Sequence, residues 1–134
     1  MSFTERLQEK TAFADRIIEA YLPVPAGEQK HLIEAMNYSV LAGGKRLRPI
    51  MMRETFLESG GSGQVIEPFM AAMEMIHTHS LVHDDLPALD GDRFRRGKET
   101  TWIRYGETLG ILSGDALLNY AYETALKSFA LNEC

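Results

Sequence analysis

Apolar residues recur at helical intervals along nearly the whole chain. Phe3, Leu7, Phe13, Ile17, Ile18 and Leu22 mark a first amphipathic helix, which Pro23 and Pro25 terminate. Leu32, Ile33, Met36 and Val40 form the inward face of a second helix, from about Glu28 to Leu41, stopped at Gly43-Gly44. Pro49 suits an early position in a third helix that carries Met52, Phe56 and Leu57, before Gly60, Gly61 and Gly63 break the pattern. A fourth helix starts near Val65 with Pro68 in its first turn. Along it Ile66, Phe69, Met73, His77, Ser80 and Asp84 follow at intervals of three or four, a stripe that begins apolar and ends in a carboxylate. That spacing puts Asp84 on the core-facing side. Pro87 kinks or ends the helix, the polar and basic segment from Gly91 to Ile103 reads as a loop, and a last helix begins near Tyr105. Its Gly106, Gly110 and Gly114 form a stripe suited to a backbone passing close, followed by Leu118. No repeat or low-complexity tract interrupts this all-α pattern.

Composition narrows the class. A chain of 134 residues, 45% hydrophobic and 25% charged, is ordinary for a globular protein with a core of its own. The net charge of -5 argues against general nucleic-acid binding, which wants a basic face. No apolar run is long enough to span a bilayer, and Met1-Ser2-Phe3-Thr4-Glu5-Arg6 lacks the layout of a secretory signal. Cys134 is the only cysteine, so no internal disulfide is possible. A cytoplasmic enzyme or subunit is expected.

The chemistry concentrates after the fourth helix. In His83-Asp84-Asp85-Leu86-Pro87-Ala88-Leu89-Asp90-Gly91-Asp92-Arg93-Phe94-Arg95-Arg96-Gly97-Lys98, four carboxylates are followed at once by four cations. Crowded carboxylates repel unless neutralised, and a hard divalent ion such as Mg2+ takes oxygen ligands while keeping waters and substrate phosphates in its shell. The neighbouring cations suit the phosphate oxygens such an ion bridges. A buried, unpaired Asp84 is costly, so it is either protonated or provided with a cation. Asp90 and Asp92 could equally be solvated turn residues, and one or two of Arg93, Arg95, Arg96 and Lys98 a solvated basic loop.

Gly43-Gly44-Lys45-Arg46-Leu47-Arg48-Pro49 is the second candidate: two glycines, three cations and a helix N-terminus, a combination that favours an anion. A plain helix stop and restart with surface basics fits the same spacing. His77, about two turns from Asp84 on the same stripe, is a plausible phosphate donor or a hydrogen-bonded core histidine. Met70, Met73 and Met75 read as core filler, and Trp102 and Tyr105 as packing residues that could gate a pocket.

Taken in order, Gly43-Gly44-Lys45-Arg46-Leu47-Arg48-Pro49, Glu74-Met75-Ile76-His77-Thr78, Asp84-Asp85-Leu86-Pro87-Ala88-Leu89-Asp90 and Arg95-Arg96-Gly97-Lys98 resemble the trans-prenyltransferases, the polyprenyl diphosphate synthases, and among them the bacterial farnesyl diphosphate synthases. The likeness runs from about Gly43 to Leu118, with a weaker echo in Asn37-Tyr38-Ser39-Val40-Leu41. It implies an all-α isoprenoid-synthase bundle around a central cavity, with residues 1–134 as the N-terminal part of a single domain. Asp84, Asp85 and Asp90 then correspond to the first aspartate-rich motif, holding Mg2+ on an allylic diphosphate that Arg95 also contacts. Lys45, Arg48, His77 and Arg96 correspond to the residues that bind isopentenyl diphosphate. His79, with Ser80 beside it, stands at the cavity floor that limits product length, which implies a fifteen-carbon product first and a twenty-carbon one second. Gly91 and Glu99 depart from the family pattern outside this set.

The resemblance further implies that the chain is the N-terminal half of a longer, homodimeric synthase, since nothing after Asp115 supplies a second aspartate-rich motif. A truncated, non-catalytic diphosphate-binding subunit is the main alternative. A terpene cyclase is disfavoured, because a cyclase has no second diphosphate for Lys45, Arg46, Arg95 and Arg96 to hold.

Overall fold

The computed structural model describes residues 1–131; Asn132, Glu133 and Cys134, the lone cysteine, lie outside the described residues. Among the described residues six α-helices account for most of the chain: α1 (Phe3–Tyr21), α2 (Lys30–Leu41), α3 (Leu47–Glu58), α4 (Glu67–Asp84), α5 (Thr101–Tyr105) and α6 (Glu107–Leu126). Short 3-10 turns precede α2 and follow α6. No helix among the described residues is long and apolar enough to cross a membrane. The chain divides into two compact units.

The first unit comprises Met1–Tyr21, Gly44–Glu74 and the chain from Ala121. Its centre is Ala14, Ile50 and Met70, ringed by Leu7, Phe13, Ile17, Met52 and Ile66, so α1, α3 and the start of α4 each contribute an apolar stripe. The Arg53 guanidinium lies 4.3 Å from the Phe13 ring centre and covers that edge of the core. At the start of α1 the Glu5 N–H donates to Ser2 Oγ (3.2 Å) and the Ser2 N–H donates to Glu5 Oε2 (2.7 Å), a reciprocal cap. Those bonds, the backbone one foremost, hold the Glu5 carboxyl below its ordinary range. Past α3 the chain turns so tightly that Gly61 lies against the Phe56 ring, where any Cβ would collide.

The second unit comprises Leu22–Gly43 and Met75–Tyr120. Met36 and Val40 of α2 are buried, as the spacing predicts. The polar edge of α2 grips the following elements: Ser39 Oγ shares a 2.6 Å hydrogen bond with Thr101 Oγ1, and the Tyr38 hydroxyl donates to the Glu99 carbonyl at 2.6 Å. Tyr38 also meets Tyr105 edge-on at 5.5 Å, and Arg104 lies 4.9 Å from the Tyr38 ring centre.

Two expectations are corrected in this unit. The segment from Gly91 to Ile103 is not a plain loop. It holds an antiparallel hairpin, β1 (Phe94–Arg95) against β2 (Lys98–Glu99), and then the start of α5. Arg96 and Gly97 both take positive φ (53° and 75°) at the turn, the backbone a tight hairpin of right-handed twist needs. The Asp92 carbonyl ties this segment down by accepting from Thr100 Oγ1 (2.7 Å) and Trp102 Nε1 (2.8 Å). The glycine stripe is also shorter than expected. Gly106, at φ 90°, separates α5 from α6, and only Gly110 and Gly114 lie inside the helix. Side chains fill the space these two leave. A Cβ at Gly110 would stand 2.8 Å from Trp102 Cβ and 3.1 Å from Leu86 Cδ2, and one at Gly114 would collide with the His83 ring.

Candidate functional site

α4 ends at Asp84, three residues before Pro87, because the residue preceding a proline disfavours helical backbone. The chain then folds back on the helix end. The N–H groups of Leu89 and Gly91 donate to the Leu86 carbonyl (2.9 and 3.0 Å), and the Asp90 N–H donates to the Asp84 carbonyl at 2.9 Å. The last bond makes backbone neighbours of two carboxylates that stand six positions apart in sequence. Both side chains are exposed.

The sequence reading places Asp84 on the core-facing side; the structure corrects this. α4 buries Met70, Ala71, Glu74, Met75, Thr78 and Val82, and the residue that continues inward past its end is Asp85. The Phe69, Ile76, Ser80 and Asp84 positions are exposed. The carboxylate that needs a buried cation is therefore Asp85, and Arg95 of β1 supplies it in a two-pronged bond: Nη2 to Oδ1 at 2.8 Å and Nε to Oδ2 at 3.1 Å. The hydrogen bond to Asp85, ahead of any other cause, raises the Arg95 guanidinium above its ordinary value, with the charges of Asp92 and Asp84 adding to it. Among the described residues no group of three or more acidic, histidine or cysteine side chains is already gathered as a metal cage. Asp84 and Asp90 present free-facing hard oxygens, whereas Asp85 is committed to Arg95.

Arg96 sits on the hairpin turn and donates from Nη1 to the Gly43 carbonyl at 3.0 Å. This ties the basic turn to the Gly43 end of α2. Arg93 and Lys98 are exposed, as a solvated basic loop requires. His77 is half-buried, with its carbonyl accepting from the Ser80 hydroxyl at 2.6 Å. His79 and His83 stack edge-on at 4.8 Å and are fixed to α6. His79 Nδ1 lies 3.0 Å from the Gly114 carbonyl, and His83 Nε2 lies 3.0 Å from the Ile111 carbonyl and 3.6 Å from Asp115. Met70 and Met75 are fully buried core residues, as expected, and Trp102 and Tyr105 pack as described above.

In the first unit, Lys45 and Arg48 are exposed at the start of α3, while Arg46 between them is buried. Arg46 takes left-handed backbone (φ 55°, ψ 28°), a conformation that costs a non-glycine residue about 1–2 kcal/mol. Its guanidinium donates from Nε to Asp15 Oδ1 (2.7 Å) and from Nη1 to Glu74 Oε1 (3.0 Å). Lys45, Leu47, Asp15, Thr11 and Gln8 line an open groove of about 430 Å³. Sequence reasoning missed the buried role of Glu74, although an acid inside the apolar run Met70-Ala71-Ala72-Met73-Glu74-Met75-Ile76 signals a buried cation partner.

A family model described as polyprenyl synthetase matches residues 29–133. The chain is 46% identical over 124 residues to a farnesyl diphosphate synthase of Micrococcus luteus, covering 92% of this chain and 43% of that protein. It is 51% identical over 100 residues to a geranylgeranyl diphosphate synthase of Cyanophora paradoxa, covering 75% of this chain and 33% of that one. Among solved structures, an FPP/GFPP synthase from Zymomonas mobilis superposes with a TM-score of 0.85 at 35% identity, over 96% of this chain and 46% of the other. A geranyltranstransferase from Thermotoga maritima gives 0.81 at 35% identity, over 92% and 46%. The chain thus spans less than half the length of these relatives. The all-α architecture, the ordered motifs and these matches agree: the chain belongs to the polyprenyl synthetase family.

Proposed function

We propose that the chain forms part of a prenyltransferase that condenses isopentenyl diphosphate with an allylic diphosphate, dimethylallyl or geranyl, to give farnesyl diphosphate. The observation that carries this is the acidic turn. Asp84 and Asp90 face outward as neighbours, while the Asp85 carboxylate holds Arg95 beside them. Residues 1–134 are read as part of a single synthase domain, and the working enzyme as a cytoplasmic homodimer.

The donor set suits Mg2+. Two exposed carboxylates are enough for an ion that keeps several waters and completes its shell with substrate phosphate oxygens. Asp84 and Asp90 would hold it, and Asp85 contributes through Arg95. When bound, the ion supplies positive charge beside the allylic diphosphate.

The chain's own residues do the rest. Arg95, permanently charged and pre-aimed by Asp85, takes up charge that builds on the diphosphate as its bond to the allylic carbon breaks. Lys45, Arg48, His77 and Arg96 hold the second diphosphate, that of isopentenyl diphosphate. The double bond of that substrate attacks the allylic cation, and loss of a proton leaves a chain one isoprene unit longer. Water must be kept out, because it would trap the cation.

His79, half-buried and fixed to the Gly114 carbonyl, is the proposed floor residue, with Ser80 beside it. His79→Ala in an active synthase lengthens the product; unchanged product length removes His79 from that role. The name of the Cyanophora paradoxa relative supports geranylgeranyl diphosphate as the second choice of product.

The test of the whole reading is protection against heat. Mg2+ with geranyl diphosphate raises the unfolding temperature of the chain, as any ligand of the folded state does. Asp84→Asn and Asp90→Asn abolish that rise. Protection surviving in both variants refutes the assignment.

A further inference from the structure

The motif Lys45-Arg46-Leu47-Arg48 contains three cations, but they do not face the same way. Lys45 and Arg48 are exposed; Arg46 is one of the most buried charged residues of the chain, 5% exposed. Its guanidinium has an acid on each of two other elements, Asp15 on α1 and Glu74 on α4. Glu74 is itself buried, whereas Asp15 keeps part of its side chain in solvent. A buried cation is tolerated only when it is paired and hydrogen-bonded, and this one is. Arg46 also carries left-handed backbone as the residue that opens α3, and its carbonyl accepts the first helical bond, from the Ile50 N–H at 3.2 Å. Unfavourable backbone of this kind persists where its surroundings over-determine it. Directly after it, Pro49 and Ile50 point inward and lock the first turn.

We propose that Arg46 is a positioning residue for isopentenyl diphosphate: held between Asp15 and Glu74, it fixes the backbone at the start of α3 in the path that turns Lys45 and Arg48 outward together. Without that anchorage the segment relaxes toward ordinary backbone. The two outward cations then lose their common register, although neither has been altered. This inference rests on the assignment of Lys45 and Arg48 to isopentenyl diphosphate made above. It assigns Arg46 no contact with substrate.

The experiment is calorimetric titration of the chain with isopentenyl diphosphate, and separately with geranyl diphosphate plus Mg2+. Lys45→Ala and Arg48→Ala test the underlying assignment, and each weakens isopentenyl diphosphate binding. Arg46→Ala weakens it by about tenfold or more, while geranyl diphosphate binding stays within about twofold. Added methylguanidinium, which can occupy the space between Asp15 and Glu74, restores affinity to Arg46→Ala but not to Lys45→Ala. Should Arg46→Ala fail to fold, Asp15→Asn removes only the outer half of the anchorage and carries the test, with a loss of about threefold. The inference is overturned if Lys45→Ala and Arg48→Ala lose affinity while a folded Arg46 variant, or Asp15→Asn in its place, binds like the parent. It is also overturned if Arg46→Ala weakens both ligands equally and guanidinium rescues neither, since that marks a general folding defect. If Lys45→Ala and Arg48→Ala bind like the parent, the assignment itself fails and the inference falls with it.

Discussion

Removing one or the other partner of the Asp85–Arg95 pair has unequal consequences. The Asp85 side chain is 5% exposed and that of Arg95 is 33% exposed. In Arg95→Ala a carboxylate is stranded where water cannot reach it. In Asp85→Asn the guanidinium keeps one acceptor or swings into solvent. Breaking a fully buried pair costs about 3–5 kcal/mol, and an exposed pair is worth about 0–1 kcal/mol. With one buried and one partly exposed member, Arg95→Ala falls between these limits, at about 2–3 kcal/mol, and Asp85→Asn at about 1 kcal/mol. For a chain of this size that corresponds to a fall in Tm of about 8–12 °C against about 4 °C. Arg95→Lys, which has charge but no fork, lies between the two. Urea and thermal unfolding followed by far-UV circular dichroism measure all three. The sign of any pH dependence also follows. The hydrogen bond to Asp85 holds the folded-state value of Arg95 above its ordinary one, so its contribution is fully present below the unfolded value and is lost only as pH rises through the folded one. The cost of Arg95→Lys relative to the parent therefore stays constant between about pH 6 and pH 9. Equal losses for Arg95→Ala and Asp85→Asn, or a larger loss for Asp85→Asn, refute the claim that Asp85 is the member that depends on its partner.

Three further outcomes test the framework around the site. Gly114→Ala in a His83→Ala background gains about 1 kcal/mol from helix propensity, because the ring that a methyl would strike is gone; in the parent the new methyl meets the His83 ring and the gain disappears, which a double-mutant cycle in urea measures. Tyr38→Phe loses the bond to the Glu99 carbonyl, costs about 1 kcal/mol, and speeds amide exchange in the hairpin while α4 is unaffected. Glu5 is held below its ordinary 4.5 by the Ser2 cap, so its contribution is present above the unfolded value and lost as pH falls through the folded one; the stability gap between the parent and Glu5→Gln, read by thermal melts, is therefore constant near neutrality and closes in acid.

The helices were legible because strong punctuation frames them. Pro23, the Gly43-Gly44 pair, Gly60 and Pro87 each stand within a few residues of an observed helix end. Those residues act through local backbone restriction, which needs no tertiary context. The hairpin was not legible, for an equally physical reason. Its strands are two residues each, too short for any alternation of apolar and polar positions to show. Its turn places a non-glycine, Arg96, at positive φ. What holds it is tertiary: the Tyr38 hydroxyl on Glu99, Arg95 on Asp85 and Arg96 on the Gly43 carbonyl. The reciprocal Ser2–Glu5 cap, by contrast, is legible as Ser-x-x-Glu ahead of an apolar run.

The inverted face of α4 shows where hydrophobicity alone misleads. Ile66, Phe69 and Met73 recur at helical spacing, but so do Met70, Met75 and Val82, and it is the second set that is buried. That buried side also carries small residues, Ala71 and Ala72, and polar residues whose partners lie elsewhere in sequence: Glu74 has Arg46, and Asp85 has Arg95. A helix whose inward face carries an acid at each of these points must receive a cation at each, and the two arginines come from the two basic motifs. The same pairing separates the two adjacent aspartates. Consecutive residues on a helix end lie about 100° apart, so one of Asp84 and Asp85 turns inward and the other outward. The inward one is paired with an arginine, and the outward one is exposed and joined by Asp90 across the turn, the arrangement on which the proposed Mg2+ site rests. On this logic, exchanging roles is not possible by exchanging residues. Asp84→Asn leaves the Asp85–Arg95 pair and the stability of the chain intact while removing Mg2+-dependent protection. Asp85→Asn retains the outward carboxylates but loosens the arginine beside them, so some protection remains at reduced affinity. Loss of stability in Asp84→Asn comparable to that in Arg95→Ala would refute this division.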